Sequence, residues 1–207
     1  GWITAVFGLR QMQTSFWDLT SGVRMQDRLE PLKQAMFPDG DEPSTQGLVS
    51  HLGMGRPITL NTAYSAAYPG GGDLALVDGR VGSTDFRDPA WQGYEGLDLD
   101  ATIDLGEPRA IAELTSAYLQ NVQWGIFLPT SVEYAVSDDG EAFRVVSEVR
   151  SDVDQRTEGP LRQEFRAQVR ETTRYVRVRA RSLGTIPDWH SAKGKGAWLF
   201  ADEVVVR

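Results

Sequence analysis

Strict alternation of apolar and polar residues is the feature that most constrains this chain. It runs through residues 99–105, 131–136 and 175–180. Successive side chains of a β-strand point to opposite faces, so a period of two gives each strand one face for the core and one for solvent. The chain is therefore predicted to consist of half-buried β-strands.

Further strand candidates and turn signals fill the rest of residues 51–207. Strands are also predicted at 110–119, 143–149, 162–169 and 203–206. Glycine and Asp-Gly pairs favour turns, and they stand between these segments at Gly106, Asp138-Asp139-Gly140, Gly159-Pro160 and Gly184. No helix-length periodicity interrupts the series. We predict an all-β fold, an antiparallel two-sheet jelly-roll sandwich.

Residues 1–50 have a different pattern. Met25, Leu29, Leu32 and Met36 recur at helical spacing, and residues 38–44 have the composition of a linker. We therefore divide the chain into a partly helical N-terminal extension, residues 1–50, and a sandwich domain, residues 51–207. The extension is rich in apolar and aromatic residues, which need a surface to pack on. Two alternatives stay open: packing on its own sandwich, or docking on a partner protein.

Composition excludes several classes of function. The net charge is -8 and the basic residues are scattered singly, so nucleic-acid binding is not expected. There are no cysteines, which excludes disulfide frameworks and thiolate chemistry. The apolar stretch at residues 3–9 is far shorter than the ~20 residues of a membrane helix. Because the chain begins at Gly1 without a recognisable leader, we expect a processed product or a piece of a longer protein.

A long irregular stretch, residues 68–96, interrupts the strands. It begins with Tyr68-Pro69-Gly70-Gly71-Gly72 and ends with Trp91-Gln92-Gly93-Tyr94-Glu95-Gly96. A loop of this length inside a compact domain is usually functional or ordered by an ion. Fixing each backbone residue costs on the order of 1 kcal/mol, so the loop needs a partner that orders it.

Several short motifs occur in a characteristic order along residues 51–207. They are Ala75-Leu76-Val77-Asp78-Gly79, Ile103-Asp104-Leu105-Gly106, Leu128-Pro129, Ser137-Asp138-Asp139-Gly140, Phe143, Tyr175-Val176-Arg177-Val178 and Phe200-Ala201-Asp202-Glu203-Val204. In order and spacing they resemble the discoidin, or factor V/VIII type C, superfamily with its galactose-binding-like sandwich and family-32 carbohydrate-binding modules. Residues 68–72, 85–87, 91–94 and 198–200 are most similar to the module found behind bacterial family-20 β-hexosaminidases.

The resemblance implies a structural calcium ion. Its ligands would be the backbone carbonyls of Ala75, Arg80 and Asp202, and the side chains of Asp78, Ser83 and Glu203. Calcium takes several oxygen ligands at once, and an irregular loop can supply them. Judged from the residues alone, Asp78-Gly79 is more typical of an ordinary turn and Glu203 of a surface residue.

The resemblance also implies a ligand site at one rim of the sandwich. An aromatic face stacks on the C–H groups of a sugar, and polar neighbours bind its hydroxyls. The candidates are Trp91, Trp124, Trp189 and His190, with Asp85 and Arg87 as polar neighbours. Trp124 is also a candidate for plugging the end of the barrel. Residues 120–124 lack the arginine that usually accompanies the aromatic residues in sugar-binding relatives, so galactose is not specifically predicted.

The chain lacks the motifs of common enzyme classes. Its only histidines are His51 and His190, and it has no nucleophile elbow, phosphate loop or zinc-binding helix motif. Paired carboxylates at Asp98, Asp100 and Asp104 are the remaining route to catalysis, although solvent-facing strand acids follow the same pattern.

We therefore predict a non-catalytic carbohydrate-binding or adhesion module of an extracytoplasmic protein, whether periplasmic, cell-surface or secreted. The alternative is a structural accessory subunit. It would use the sandwich and the N-terminal strap to stabilise a larger extracytoplasmic or membrane-associated complex.

Overall fold

Antiparallel strands account for most of the regular structure. The structure, a computed structural model, describes residues 48–207. In this part of the chain the strands are β1 Ile58–Leu60, β2 Gln92–Glu95, β3 Leu99–Gln120, β4 Ser131–Ser137, β5 Arg144–Val149, β6 Leu161–Arg181 and β7 Trp198–Val206. Two short 3₁₀-helices, Gly72–Val77 and Val122–Trp124, lie between them. No helix within the described residues is long and apolar enough to cross a membrane.

Two long strands, β3 and β6, run through both layers of the sandwich. They are 22 and 21 residues long and pair with each other, with register shifts after Asp104 and after Ile111. In its first half, before the register shifts, β3 pairs with β1. The half of β6 that pairs with this part of β3 also pairs with β4, and β4 pairs with β5. After the shifts, β3 pairs with β7, and β7 pairs with β2. The irregular middle of β3 and β6 thus joins the two layers.

The core lies between these layers. One buried cluster contains Leu99 and Ile103 from the first half of β3 together with Leu114 from its second half and Leu199 from β7. Both layers contribute to this cluster because alternate residues of every strand point inward.

A buried polar chain also crosses the core. The Tyr134 hydroxyl donates to the Phe165 carbonyl at 2.7 Å, which leaves it to accept from Ser116 Oγ, also at 2.7 Å. Tyr134 lies on β4 in one layer, and both partners lie on strand segments of the other. The predicted all-β sandwich is confirmed.

The structure differs from the sequence prediction at the boundaries. The predicted strands 99–105 and 110–119 are one strand, so Gly106 does not reverse the chain. Its φ of 86° and its N–H bond to Asp104 Oδ1 place it at an irregularity within β3. Glycine adopts this left-handed conformation without strain, so the chain bends between layers and continues. The predicted strand 162–169 likewise joins 175–180 within β6.

The predicted helical stripe and aromatic opening of the extension lie outside the described residues. The partly helical character of residues 1–50, the boundary near residue 50 and the docking of a protein partner therefore stay predictions.

Candidate functional site

A bulge in β7 turns two consecutive acidic residues toward the same loop. The register of β7 against β3 shifts between Ala201 and Val204, so Asp202 and Glu203 share one opposing position. In a regular strand their side chains would point to opposite faces, whereas a bulge re-aims them. Both residues are buried, at 0% and 2% exposure.

Both carboxylates accept hydrogen bonds from the loop that follows the first 3₁₀-helix. The Gly79 N–H donates to Glu203 Oε2 at 2.9 Å, and the Gly82 N–H donates to Asp202 Oδ2 at 3.0 Å. Buried backbone N–H groups need such partners. The two acids therefore tie the loop to the last strand. We call Asp78, Asp202 and Glu203 the acidic anchor.

His51 orients the Glu203 side chain. Its Nδ1 accepts hydrogen bonds from the N–H groups of Gly53, at 3.1 Å, and Val206, at 3.3 Å. A neutral imidazole with an accepting Nδ1 carries its proton on Nε2. Nε2 therefore donates to Glu203 Oε1, at 2.6 Å. Burial, followed by the charge of Arg207, lowers the pKa of His51 to about 4, so the ring stays neutral at physiological pH.

Arg162 supplies the charge partner of Asp202. Its Nε donates to Asp202 Oδ2 at 2.8 Å. Burial nevertheless raises the pKa of Asp202, against the charge and hydrogen bond of Arg162. A buried carboxylate needs both a charge partner and hydrogen bonds to remain ionised, and Asp202 has both.

The other predicted calcium ligands occupy different environments. Asp78 is half-buried and its Oδ1 accepts from the Arg80 N–H at 2.9 Å, while the Arg80 side chain is exposed. Ala75 is buried within the first 3₁₀-helix. Ser83 is exposed, and its Oγ accepts from the Asp85 N–H at 3.2 Å. The structure thus brings Asp78 and Glu203 into one electrostatic environment and places the Ser83 hydroxyl in a turn of its own.

A cation would fit the acidic anchor electrostatically. Burial, then the charge of Asp78, raises the pKa of Glu203 to about 9. Yet both Glu203 oxygens accept hydrogen bonds from N–H donors, a pattern that suits the ionised form. A cation beside Asp78 would offset the cost of that charge. Within residues 48–207 no three His, Asp or Glu side chains form a metal-binding group.

Exposed aromatic side chains cluster at one rim of the sandwich. Trp124 ends the second 3₁₀-helix and is 53% exposed. The centre of its ring lies 5.2 Å from the centre of the Phe86 ring. The Arg87 guanidinium lies 5.0 Å from the centre of the same Phe86 ring. The side chains of Arg87 and Asp85 are exposed and 4.0 Å apart. Trp124 therefore faces solvent and does not plug the barrel.

Trp189 forms the second exposed surface. It is 39% exposed, and its ring meets those of Phe127 and His190 edge-on, at 6.2 Å and 5.9 Å. The buried Phe127 ring fixes the tryptophan from below, which limits the entropy lost when a ligand binds. We call Phe86, Trp124, Phe127, Trp189 and His190 the aromatic rim.

His190 connects the two halves of the rim. Its Nε2 lies 2.7 Å from the Val122 carbonyl, so Nε2 donates, and its Nδ1 accepts from the Ala192 N–H at 2.9 Å. Val122 belongs to the same 3₁₀-helix as Trp124. With both nitrogens occupied, His190 braces the Trp124 turn against the Trp189 loop and offers a ligand only its ring.

Trp91 has a different role from the one predicted. It is 1% exposed, and its Nε1 donates to the Ser83 carbonyl at 2.9 Å. A Cβ added at Gly82 would lie 2.4 Å from its ring, so the glycine backbone packs directly on the indole. Trp91 is therefore a core residue that orders the loop, and we remove it from the ligand candidates.

The acids considered for catalysis are engaged in ion pairs. Arg174 donates twice to Asp104, at 2.8 Å each, and lowers the pKa of that carboxyl. Asp100 accepts from Arg177 at 2.8 and 2.6 Å. Partial burial opposes the shift, but these bonds lower the pKa of Asp100 as well. Carboxyls held ionised in this way are poor general acids.

Sequence reasoning missed several residues that shape these sites: His51, Arg162, Phe86, Phe127 and Arg156, whose guanidinium lies 5.1 Å from the centre of the Trp189 ring. Phe86 lies between two candidates that were identified, Asp85 and Arg87, and could have been included. The others gave no local signal, because their roles depend on contacts between residues distant in the chain.

Comparisons with known proteins agree with this architecture. A family model described as the F5/8 type C domain matches residues 60–200. No curated protein matches the chain. Similar solved structures include chitosan-binding module 1 of a chitosanase/glucanase from Paenibacillus sp. IK-5, with 17% identity, a TM-score of 0.48, and coverage of 77% of this chain and 99% of that one.

Two further structures are similar at the same level. One is the CpGH89CBM32-5 module from Clostridium perfringens in complex with GalNAc-β-1,3-galactose, with 20% identity, a TM-score of 0.44, and coverage of 72% of this chain and 93% of that one. The other is a fucolectin from Morone saxatilis (striped bass) serum, with 18% identity, a TM-score of 0.49, and coverage of 75% and 47%. The closer likeness to modules behind family-20 β-hexosaminidases stays a prediction. Since the family match spans most of the sequence, this chain belongs to the F5/8 type C family.

Proposed function

We propose that this domain is a non-catalytic carbohydrate-binding module of an extracytoplasmic protein and that it holds a sugar on the aromatic rim. The observation that carries the proposal is the exposure of two tryptophans on braced turns, 53% for Trp124 and 39% for Trp189. Large aromatic side chains are rarely left exposed together without a binding role. An extracytoplasmic location belongs to the proposal because glycan polymers are found there.

The chemistry of the rim suits a sugar. Indole rings bury the apolar C–H face of a pyranose, and polar side chains at the edge bind its hydroxyls. Asp85 and Arg87 provide such groups beside Phe86, and both side chains are exposed. The turns that carry the tryptophans are fixed by the His190 bond to the Val122 carbonyl. The rim is therefore organised before ligand arrives.

We further propose that a structural calcium ion binds at the acidic anchor. Asp78 and Glu203 would contribute carboxylate oxygens, with backbone carbonyls of Ala75, Arg80 and Asp202 and the Ser83 side chain as the remaining ligands that the family pattern implies. Bound calcium would neutralise part of the buried negative charge and tie residues 78–83 to β7. It would support the rim indirectly, because Ser83 also holds Trp91.

A glycan array with calcium present tests the sugar proposal. For a glycan that binds, Trp189→Ala and Trp124→Ala should each weaken binding by about 1–3 kcal/mol, because each removes a stacking surface. Both residues are exposed, so unfolding free energy should change by less than about 1 kcal/mol. Val145, 52% exposed on β5, supplies a matched control: Val145→Ala should leave binding unchanged. An array with no binding at any glycan would contradict the proposal.

A further inference from the structure

We propose that the sugar bound at Trp189 is acidic and that Arg156 binds its carboxylate or sulfate group. This inference rests on the proposed carbohydrate-binding function and adds the class of ligand. It starts from the position of one guanidinium, which lies 5.1 Å from the centre of the Trp189 ring.

Arg156 differs from most arginines of the domain. On the strands, Arg174 and Arg177 each bind a carboxylate through two nitrogens. Arg156 has no carboxylate within the 4.0 Å ion-pair distance among residues 48–207. The N–H donors of the Arg156 guanidinium form no ion pair within the described residues. They are therefore available to bind an anionic group of a ligand that stacks on Trp189.

The loop that carries Trp189 adds two more cations. Lys193 and Lys195 are exposed, and neither forms an ion pair with a described residue. The Lys193 N–H donates to the His190 carbonyl at 3.1 Å, so this lysine follows the rim in a tight turn. These are the only lysines within residues 48–207.

The loop that carries Arg156 and the loop that carries Trp189 also contain acidic residues, so the site is not a continuous positively charged patch. Asp154 accepts the backbone N–H of Arg156 at 2.7 Å, and Asp188 is exposed next to Trp189. Asp152 and Glu158 are exposed as well. The charges of these loops and the overall charge of -8 would repel a distant anion. Selectivity for an acidic over a neutral sugar must therefore come from direct contact with Arg156.

The geometry of an acidic sugar matches this contact. A hexuronate has an apolar C–H face for the indole and a carboxylate at the ring edge. A guanidinium binds a carboxylate or sulfate through two parallel hydrogen bonds. At an exposed site the cation–π contact is weak, so Arg156 could move from the ring face to the ligand without breaking an ion pair.

Pairs of short, soluble polysaccharide fragments that differ in one kind of charged group test the proposal. Polygalacturonate fragments are compared with their methyl esters for the carboxylate, and carrageenan fragments with their desulfated forms for the sulfate, by calorimetry with calcium held constant. At least one acidic member should bind roughly tenfold more tightly than its neutral partner, the gain from a charge-assisted hydrogen bond. Arg156→Gln should abolish that difference. Arg170→Gln, which removes an exposed arginine without an ion pair among the described residues, should leave the difference intact.

The remaining outcomes separate this inference from the proposed function. Equal binding of acidic and neutral polymers, unaffected by Arg156→Gln but weakened by Trp189→Ala, would overturn the acidic ligand and leave the carbohydrate-binding function intact. Binding to phosphatidylserine vesicles with no binding to any polysaccharide would overturn both, and so would the absence of all binding.

Discussion

The acidic anchor and the aromatic rim are built partly by the same loop, residues 68–96, yet they satisfy opposite conditions. In the anchor, the carboxylates of Asp202 and Glu203 are buried and accept N–H donors from the loop itself. At the rim, Trp124 and Trp189 stay exposed, and Arg156 has no acidic partner within the described residues. Interactions satisfied inside the domain fix the loop, whereas groups left without a partner are available to a ligand.

Tryptophan illustrates the contrast within one residue type. Trp91 is 1% exposed and Trp189 is 39% exposed. The Trp91 ring is covered by the Gly82 backbone, which approaches too closely for any side chain. The Trp189 ring packs against Phe127 and His190, and the exposed Arg156 guanidinium lies 5.1 Å from its centre.

The largest expected effect is on stability, from Trp91→Ala. This change should lower the unfolding free energy by about 4 kcal/mol, because it empties a buried site and orphans the Ser83 carbonyl. Urea unfolding of the sandwich measures it. Trp189→Ala is the matched comparison and should cost less than about 1 kcal/mol. Equal losses for the two variants would contradict the distinction between the buried Trp91 and the exposed aromatic rim.

Glu203→Ala should have the next largest effect. It leaves the His51 Nε2–H and the Gly79 N–H without acceptors, so we expect a loss of about 3 kcal/mol in calcium-free buffer. Glu203→Gln retains one acceptor oxygen and should recover part of the loss. If both variants unfold like the unmodified protein, the carboxylate does not hold the loop.

Calcium removal should lower stability reversibly. An ion that binds only the folded state contributes about 2.7 kcal/mol when present at a hundred times its Kd. Scanning calorimetry with and without chelator measures the shift in Tm. Asp78→Ala should melt at the same temperature in both buffers. A chelator-insensitive unmodified protein would show that hydrogen bonds alone order the loop.

The smallest effect, taken over one pH unit, is a dependence on pH in calcium-free buffer. The pKa of Glu203 is raised to about 9 in the folded state, above its unfolded value. Its contribution to stability is therefore complete below the unfolded pKa and declines as pH rises toward 9, by at most about 1.4 kcal/mol per pH unit. Denaturant unfolding between pH 6 and 9 should show the decline. Glu203→Gln and bound calcium should each reduce the decline of the unfolding free energy with pH. If the decline is unchanged in Glu203→Gln, another titrating group causes it.

The sequence by itself determined the class of fold. The alternation in residues 99–105 and 175–180 fixes which side chains face inward, whatever the strands pair with. The whole series of short motifs, from Asp78-Gly79 to Asp202-Glu203, was sufficient to predict the family, because the order and spacing of the motifs along the chain are the signal. Residues 191–196, which contain Gly194 and Gly196, favour an exposed position for the neighbouring Trp189, and this residue is 39% exposed.

Only the tertiary structure decided which residues work together. Gly106 reads as a turn in sequence, but pairing with β6 carries the strand past it. The β7 bulge is set by its register against β3, so no local pattern could show that Asp202 and Glu203 face the same loop. Trp91 and Trp189 are the same residue type, and their burial differs because the Gly82 backbone covers the Trp91 ring, whereas Trp189, whose ring contacts Phe127, His190 and the exposed Arg156, stays 39% exposed. Burial and pairing are properties of contacts between distant segments, which the sequence encodes only through the completed fold.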